Sequence, residues 1–464
     1  NAADTGSIMN TREQVRRTKI ICTLGPAVDE EDKIASLLSA GMNVARFNFS
    51  HGTHEEHAAR LQRLRAASVR TGIPVATMLD TKGPEIRTGM VADGGQVELR
   101  NGEQITLTTE VVDGTAERLS VSYQKLPAEV GPGNHIFIAD GLIDLEVTAS
   151  EGTEIRCVVR NGGMVGSRKN VNVPGVRVGL PAITEKDEKD IDFAVNHGMD
   201  FIAASFIRRP QDVVEILNIL AEHDSPIRVI AKIENQEGLD NLEDIIRVAH
   251  GVMVARGDLG VQLATEDIPL AQKRIIGACN RARRPVITAT QMLDSMINNP
   301  NPTRAELTDV ANAIFDGTDA VMLSGETAGG KFPVRSCQTL DRIACAVERS
   351  AEYRARCMDY FDDVTPGSDL GQAMARAAFI VAKDVEAAAI VTPTLRGNSP
   401  RLLSQLRPSQ PIIAVTVSDT THRQLLLHWG IHPLLSDFVT DSDEMLQNAM
   451  RLSLESGFAR RLDR

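Results

Sequence analysis

Lys232 and Glu234 stand two residues apart in a short apolar run, 228–235, and Asp258 closes the next such run. Side chains two apart on a strand leave by the same face, so an ammonium and a carboxylate emerge side by side. Two carboxylates at neighbouring strand ends suit one hard divalent cation, whose other positions go to water and substrate oxygens. A lysine beside them is costly in a low-dielectric mouth unless it meets an anion. Arg46, Asn48 and Ser50 repeat the two-residue spacing, and Asp80, Thr81, Lys82 and Arg87 follow a third run. Further runs end in Arg256-Gly257-Asp258 and Thr288-Ala289-Thr290-Gln291. Two arginines, a lysine and a carboxylate-bound metal match the phosphate and carboxylate groups of a small substrate. A single strand-end Asp is more often an ordinary loop residue; the adjacent lysine shifts the balance towards chemistry. Asn48, Ser50 and Asp80 fit a second, monovalent cation, although alone they read as structural hydrogen-bond partners. No P-loop is present and no GxGxxG opens a helix, so nucleotide phosphates must be held by other means.

The elements that position these residues alternate. Apolar runs at 18–25, 43–50, 75–81, 200–206, 228–235, 251–260, 285–291 and 320–327 are too short for helices and rich in Val and Ile, as in strands buried on both faces. Between them lie helical stripes, such as Leu307, Val310, Ala311, Ile314 and Phe315, or Leu239, Leu242, Ile245, Ile246 and Ala249. Capping boxes at Thr184/Asp187 and Thr303/Glu306 mark helix starts. Eight strand–helix units predict an α/β protein with a (β/α)8 TIM barrel, ahead of a doubly wound open sheet, and chemistry at the strands' carboxyl ends. One connection differs. From about Thr88 to Asn172 the chain is dense in Asp-Gly and Asn-Gly turns and alternating strands, which predicts an inserted antiparallel β lid. After about Ser350, runs at 388–394 and 411–417 predict a smaller α/β domain. The expected division is an N-terminal segment 1–17, a barrel 18–88 and 172–349, a lid 89–171 and a C-terminal domain 350–464.

The 464 residues call for several domains. A net charge of −12 argues against general nucleic-acid binding. Six cysteines lack any CxxC pair and four fall in apolar patterns, so reduced thiols are expected. No apolar run reaches the ~20 residues of a membrane helix, and residues 1–14 lack a signal peptide's apolar core. The expectation is a cytoplasmic protein with no membrane partner.

Six stretches then resemble one family: Asn43-Val-Ala-Arg-Phe-Asn-Phe-Ser-His-Gly52, Leu79-Asp-Thr-Lys-Gly-Pro-Glu-Ile-Arg-Thr-Gly89, Ala231-Lys-Ile-Glu-Asn235, Met253-Val-Ala-Arg-Gly-Asp-Leu-Gly260, Ile287-Thr-Ala-Thr-Gln-Met-Leu-Asp-Ser-Met296 and Met322-Leu-Ser-Gly-Glu-Thr-Ala328. They resemble pyruvate kinase, in order, over about 16–454. The resemblance implies phosphoryl transfer from phosphoenolpyruvate to ADP, giving pyruvate and ATP at the end of glycolysis, in a homotetramer under allosteric control. It assigns Lys232, Arg87 and Thr290 to catalysis, and Arg46, Lys232, Gly257, Asp258 and Thr290 to phosphoenolpyruvate. Glu234 and Asp258 would hold Mg2+ (or Mn2+), and Asn48, Ser50, Asp80 and Thr81 would hold K+. Asn48, Ser50, His51, Arg87 and Lys186 would meet the nucleotide. Thr394, Arg396, Gly397 and Ser399 resemble an effector-phosphate loop. A metal-dependent aldolase or lyase of pyruvate-type enolates on the same barrel is the alternative; the lid and Arg87 would then lack a purpose. A catalytically silent relative would have lost Lys232, Glu234 or Asp258.

The chain departs from the family at Phe47, commonly Leu or Met, at Asn170, usually Gly, and at Arg396, usually Ser. Arg464 falls where the family continues into a further strand and a glycine-rich loop. Glu85 occupies a position that is acidic in potassium-dependent members and Lys in independent ones. Pyruvate formation is therefore expected to rise on adding K+; full activity in buffer free of K+ and Na+ would overturn this.

Overall fold

The computed structural model describes residues 15–363, 369–438 and 441–459; most of the N-terminal segment expected at 1–17 lies outside them. Eight parallel strands close into a barrel: Lys19–Thr23, Val44–Asn48, Ala76–Asp80, Phe201–Ala204, Arg228–Ile233, Gly251–Ala255, Val286–Ala289 and Ala320–Leu323. Each pairs with its neighbours in chain order, and the first closes on the eighth. The apolar runs predicted these strands but overran their ends. The sixth run is the clearest case. Its strand stops at Ala255 and Arg256–Gln262 is a short helix, so Gly257 and Asp258 sit on a helical turn. The second strand likewise stops at Asn48, which leaves Ser50 exposed in the following turn rather than on the strand face.

Inward-facing side chains alternate along the strands and fill the barrel. Ile21, Val44, Ala76, Met78, Phe201, Ala203, Ile230, Met253, Ile287, Ala320 and Met322 form one buried cluster, the packed interior that such barrels need. Around it the helices bury their stripes. The capping boxes at Thr184 and Thr303 form as read, and Thr53 and Glu56 make another. The stripe Leu239, Leu242, Ile245, Ile246 and Ala249 is buried, but across two helices, Gln236–Asp240 and Leu242–Val248, broken at Asn241.

The insertion is a seven-stranded sheet with a separate two-stranded ribbon. Its base is the antiparallel pair Ile86–Arg87 and Asn170–Asn172. It is mainly antiparallel as expected, except that Gln104–Thr108 and Arg118–Ser120 run parallel. Its longest hairpin turns at Gly152 (φ 61°), outside the Asp-Gly and Asn-Gly pairs that signalled turns.

The C-terminal domain holds three parallel strands, Ile390–Pro393, Ile412–Thr416 and Ile431–Leu435. The third went unforeseen because His432 and Pro433 interrupt its apolar pattern. This domain is bolted beneath the barrel. Arg423 pairs with Asp200 at 2.8 Å, and Lys19 Nζ donates to the Ile431 carbonyl at 2.6 Å. Gln424 accepts from Arg228 at 2.7 Å and donates to the Pro226 carbonyl at 2.8 Å. Leu426 and Leu427 enter the barrel's own interior cluster and plug its floor. All six cysteines are free, four of them buried.

Leu427 is fully buried, so Leu427→Ala is expected to cost about 2–5 kcal/mol. The check is a lower urea midpoint for the barrel, and an unchanged midpoint would count against the plug.

Candidate active site

The interior face turns polar one layer above the apolar cluster. Ile21 is followed by Thr23, Val44 by Arg46, Met78 by Asp80, Ala203 by Ser205 and Ile230 by Lys232, all five polar residues being buried. Strand period two therefore carries each chain directly from core to chemistry.

Asp80 lies at the centre. Its carboxylate accepts from Arg46 Nε at 2.6 Å and Lys232 Nζ at 2.9 Å. Burial by itself would raise its carboxyl; Arg46 and Lys232 outweigh that and hold it below the usual carboxylate range. Arg46 is fixed further by Thr23 Oγ1 at 2.9 Å. Lys232 donates to Ser205 Oγ at 2.8 Å and pairs with Glu234 Oε1 at 3.0 Å. Burial opposes its charge, but Asp80 and then Glu234 keep the ammonium protonated well above its ordinary range.

Glu234 Oε2 accepts from the Phe206 N–H at 2.5 Å, which the left-handed φ of 55° at Phe206 aims at it. Oε1 takes no aligned hydrogen bond. Burial pushes the Glu234 carboxyl up to about 7, Lys232 pulls it back, and Asp258 adds to the rise. Asp258 opens towards the cleft under the lid. Loss of water there raises its carboxyl, Lys232 opposes this, and Asp80 and the lid residue Asp140 reinforce it. Two carboxylates that resist ionising side by side, one with an oxygen that takes no aligned hydrogen bond and meets the Lys232 ammonium at 3.0 Å, fit a divalent cation completed by substrate oxygens. Among the described residues no group of three or more His, Cys, Asp or Glu could hold a metal.

Thr290 stands just past the seventh strand, and it and Gln291 are both left-handed (φ 66° and 53°). Its Oγ1 accepts from the Gly257 N–H at 2.8 Å and donates to the Ala289 carbonyl at 2.6 Å. Arg256 does not join the mouth. It pairs with Asp309 at 2.7 Å and donates to the Thr290 carbonyl at 2.6 Å, bracing this turn from behind.

The remaining candidates separate. Arg87 sits at the lid base, paired with Glu85 at 2.6 Å and bonded to the Arg168 carbonyl at 2.8 Å. Asn48 Oδ1 accepts from the Ser50 N–H at 3.2 Å. The Thr81 carbonyl accepts from Ser205 Oγ at 2.6 Å. His51 is exposed beside them. Lys186 Nζ donates to the Phe49 carbonyl at 2.8 Å. Thr394, Arg396, Gly397 and Ser399 lie in the C-terminal domain, where Thr394 Oγ1 accepts from the Gly397 N–H at 2.9 Å. Asn170, the lid departure, donates to the Asp140 carboxylate and accepts from its N–H.

Ser205 and Thr23 went unnoticed in the sequence. The signal was available: each continues its strand's inward face by two, but both are short hydroxyl side chains within runs that read as apolar. Gly83 (φ 70°) passes so close to Ser205 that a Cβ there would lie 2.8 Å from the serine's own.

A family model described as "Pyruvate kinase, barrel domain" matches residues 15–337, and one described as "Pyruvate kinase, alpha/beta domain" matches 372–464. A pyruvate kinase of Geobacillus stearothermophilus is 50% identical over 455 residues, covering 97% of this chain and 76% of that one. One from Bacillus licheniformis is 48% identical over 456 residues, covering 97% and 77%. The crystal structure of a pyruvate kinase from Cryptosporidium parvum superposes with a TM-score of 0.95 at 41% identity, covering 98% of this chain and 94% of that one. With its buried lysine set among Asp80, Glu234 and Asp258, the chain belongs to the pyruvate kinase family.

Proposed function

We propose that Lys232 is the group around which this chain carries out the pyruvate kinase reaction, moving the phosphoryl group of phosphoenolpyruvate to ADP and releasing pyruvate and ATP. The observation that carries this reading is an ammonium kept charged at the mouth by Asp80 and Glu234. Phosphoryl transfer needs positive charge fixed where oxygens gain negative charge, more than it needs a nucleophile from the protein.

The enzyme requires a divalent metal, and Glu234 and Asp258 are its protein ligands in this reading, with Mg2+ or Mn2+ the ion. When bound, it would neutralise phosphoryl and enolate oxygens as a Lewis acid. Arg46 and the N–H groups at the Asp258 helix start bind the substrate's charged ends. Lys232 stabilises charge on the transferring group and on the enolate oxygen. Thr290, held by Gly257 and Ala289, stands on the face where the enolate is protonated. Arg87 swings from Glu85 to the phosphates as the lid closes. His51 and Lys186, with Asn48 and Ser50, take the nucleotide. Asn48, Ser50, Asp80 and the Thr81 carbonyl supply a K+ site, a reading supported by the register that sets Asn48 opposite Asp80.

The division into barrel, lid and C-terminal domain at 88/89, 171/172 and 349/350 belongs to the same reading. So do a homotetramer, a cytoplasmic location and an effector site at Thr394, Arg396, Gly397 and Ser399. Among the described residues no helix is long and apolar enough to cross a membrane.

A coupled assay of pyruvate formation from phosphoenolpyruvate and ADP, with and without Mg2+, tests the function. Lys232→Met is expected to lower kcat a hundredfold or more, about 2.7 kcal/mol or above, with Mn2+ binding retained. A loss below about tenfold, ~1.4 kcal/mol, would remove Lys232 from its role. Ser205→Ala deletes one bond to Lys232 and should cost about 1 kcal/mol, roughly fivefold in kcat. Wild-type turnover in that variant would show that Asp80 and Glu234 alone position the lysine.

A further inference from the structure

The helix Glu185–Asn196 follows the return from the lid and carries Asp190 inward. This carboxylate is fully buried and accepts on both oxygens: from Lys186 Nζ at 2.6 Å on one, and paired with His54 Nε2 at 2.7 Å on the other. Both partners are about half exposed, with side-chain exposures of 47% for Lys186 and 41% for His54. Lys186 Nζ also donates to the Phe49 carbonyl and lies 5.8 Å from the centre of the Phe49 ring. The His54 ring leans on Phe49 at 5.6 Å and Phe193 at 5.1 Å. An ammonium and an imidazole are thus locked to the turn that carries Asn48, Ser50 and His51.

Helix stability does not account for this arrangement. A lysine in the first turn opposes the helix dipole, and Lys ahead of an acid at i,i+4 is the poorer order. A fully buried carboxylate is costly unless both oxygens are satisfied, and here both are spent on side chains that face outward. The buried acid serves its exposed partners rather than the core.

We propose that His54 is a further nucleotide-contacting residue and that Asp190 is the positioning residue that holds it and Lys186 together beside the bound nucleoside diphosphate. The proposal rests on the reading of Lys186 as a nucleotide contact. Asp190 acts only through these two side chains and touches no substrate. Phosphoenolpyruvate, bound deeper at Arg46 and Lys232, does not depend on the pair.

The test varies ADP and phosphoenolpyruvate separately in Lys186→Met, His54→Gln and Asp190→Asn, with thermal midpoints measured alongside. Asp190→Asn is expected to raise KM for ADP about tenfold, and His54→Gln about threefold, with kcat and KM for phosphoenolpyruvate within about twofold of wild type. The double variant of His54 and Asp190 should lose less than the product of the single effects, because both act on one device. If Lys186→Met leaves KM for ADP unchanged, the nucleotide reading of Lys186 itself falls. If Lys186→Met raises it while His54→Gln and Asp190→Asn do not, only the present inference falls. A lower thermal midpoint with both KM values unchanged would make Asp190 a structural residue and overturn its role; His54→Gln, at a half-exposed site, gives the answer even if Asp190→Asn folds poorly.

Discussion

The site depends on keeping one carboxylate charged where water cannot reach it. Asp80 is buried, yet two cations from the second and fifth strands close on it at 2.6 and 2.9 Å. Without both partners the carboxylate would be an uncompensated charge in the interior, which is far costlier than losing a surface pair. That constraint sets the register across half the barrel. Arg46 and Lys232 must lie at the same height as Asp80, and the strand pairing that aligns Asn48 with Asp80 and Ala203 with Asp80 provides this. Once the ammonium is fixed, Glu234 and Asp258 find themselves beside a cation and beside each other, and their chemistry follows.

Much of this was legible in the sequence because period two is a strong signal. Lys232 and Glu234, or Arg46 and Asn48, share a face in any strand, and the apolar runs around them leave little doubt about strand or helix. Ser50 shows the limit: the same arithmetic put it on the strand face, but the chain had already turned. Gly257 and Asp258 failed differently. Alternation cannot see a strand giving way to a short helix when both stretches are apolar. Ser205 was hidden for a third reason, since a serine looks inert until a lysine 27 positions later is brought to its hydroxyl.

The lid and the C-terminal domain were visible as changes in grammar, less so in their details. Turn dipeptides announced the lid's β character, but not the parallel pair inside it or the turn at Gly152. The strand Ile431–Leu435 was missed because His432 and Pro433 mask it, and His432 is tolerated there only where burial keeps its ring neutral, its pKa driven well below the ordinary value by loss of water and the nearby Lys19. Likeness to relatives supplied what patterning could not: the family to which the chain belongs and so the reaction it carries out.

The two leucines under the barrel have a consequence for how the molecule comes into being. Lys19 opens the first strand, and its ammonium donates to a carbonyl more than 400 residues later, at Ile431. A chain emerging from the ribosome can pair all eight strands once residue 323 is out, but its floor stays open until Leu426 and Leu427 arrive. Throughout that interval the nascent barrel exposes an apolar ring to water or to a chaperone. Residues 426–431 therefore decide when the strand at 19–23 is finished.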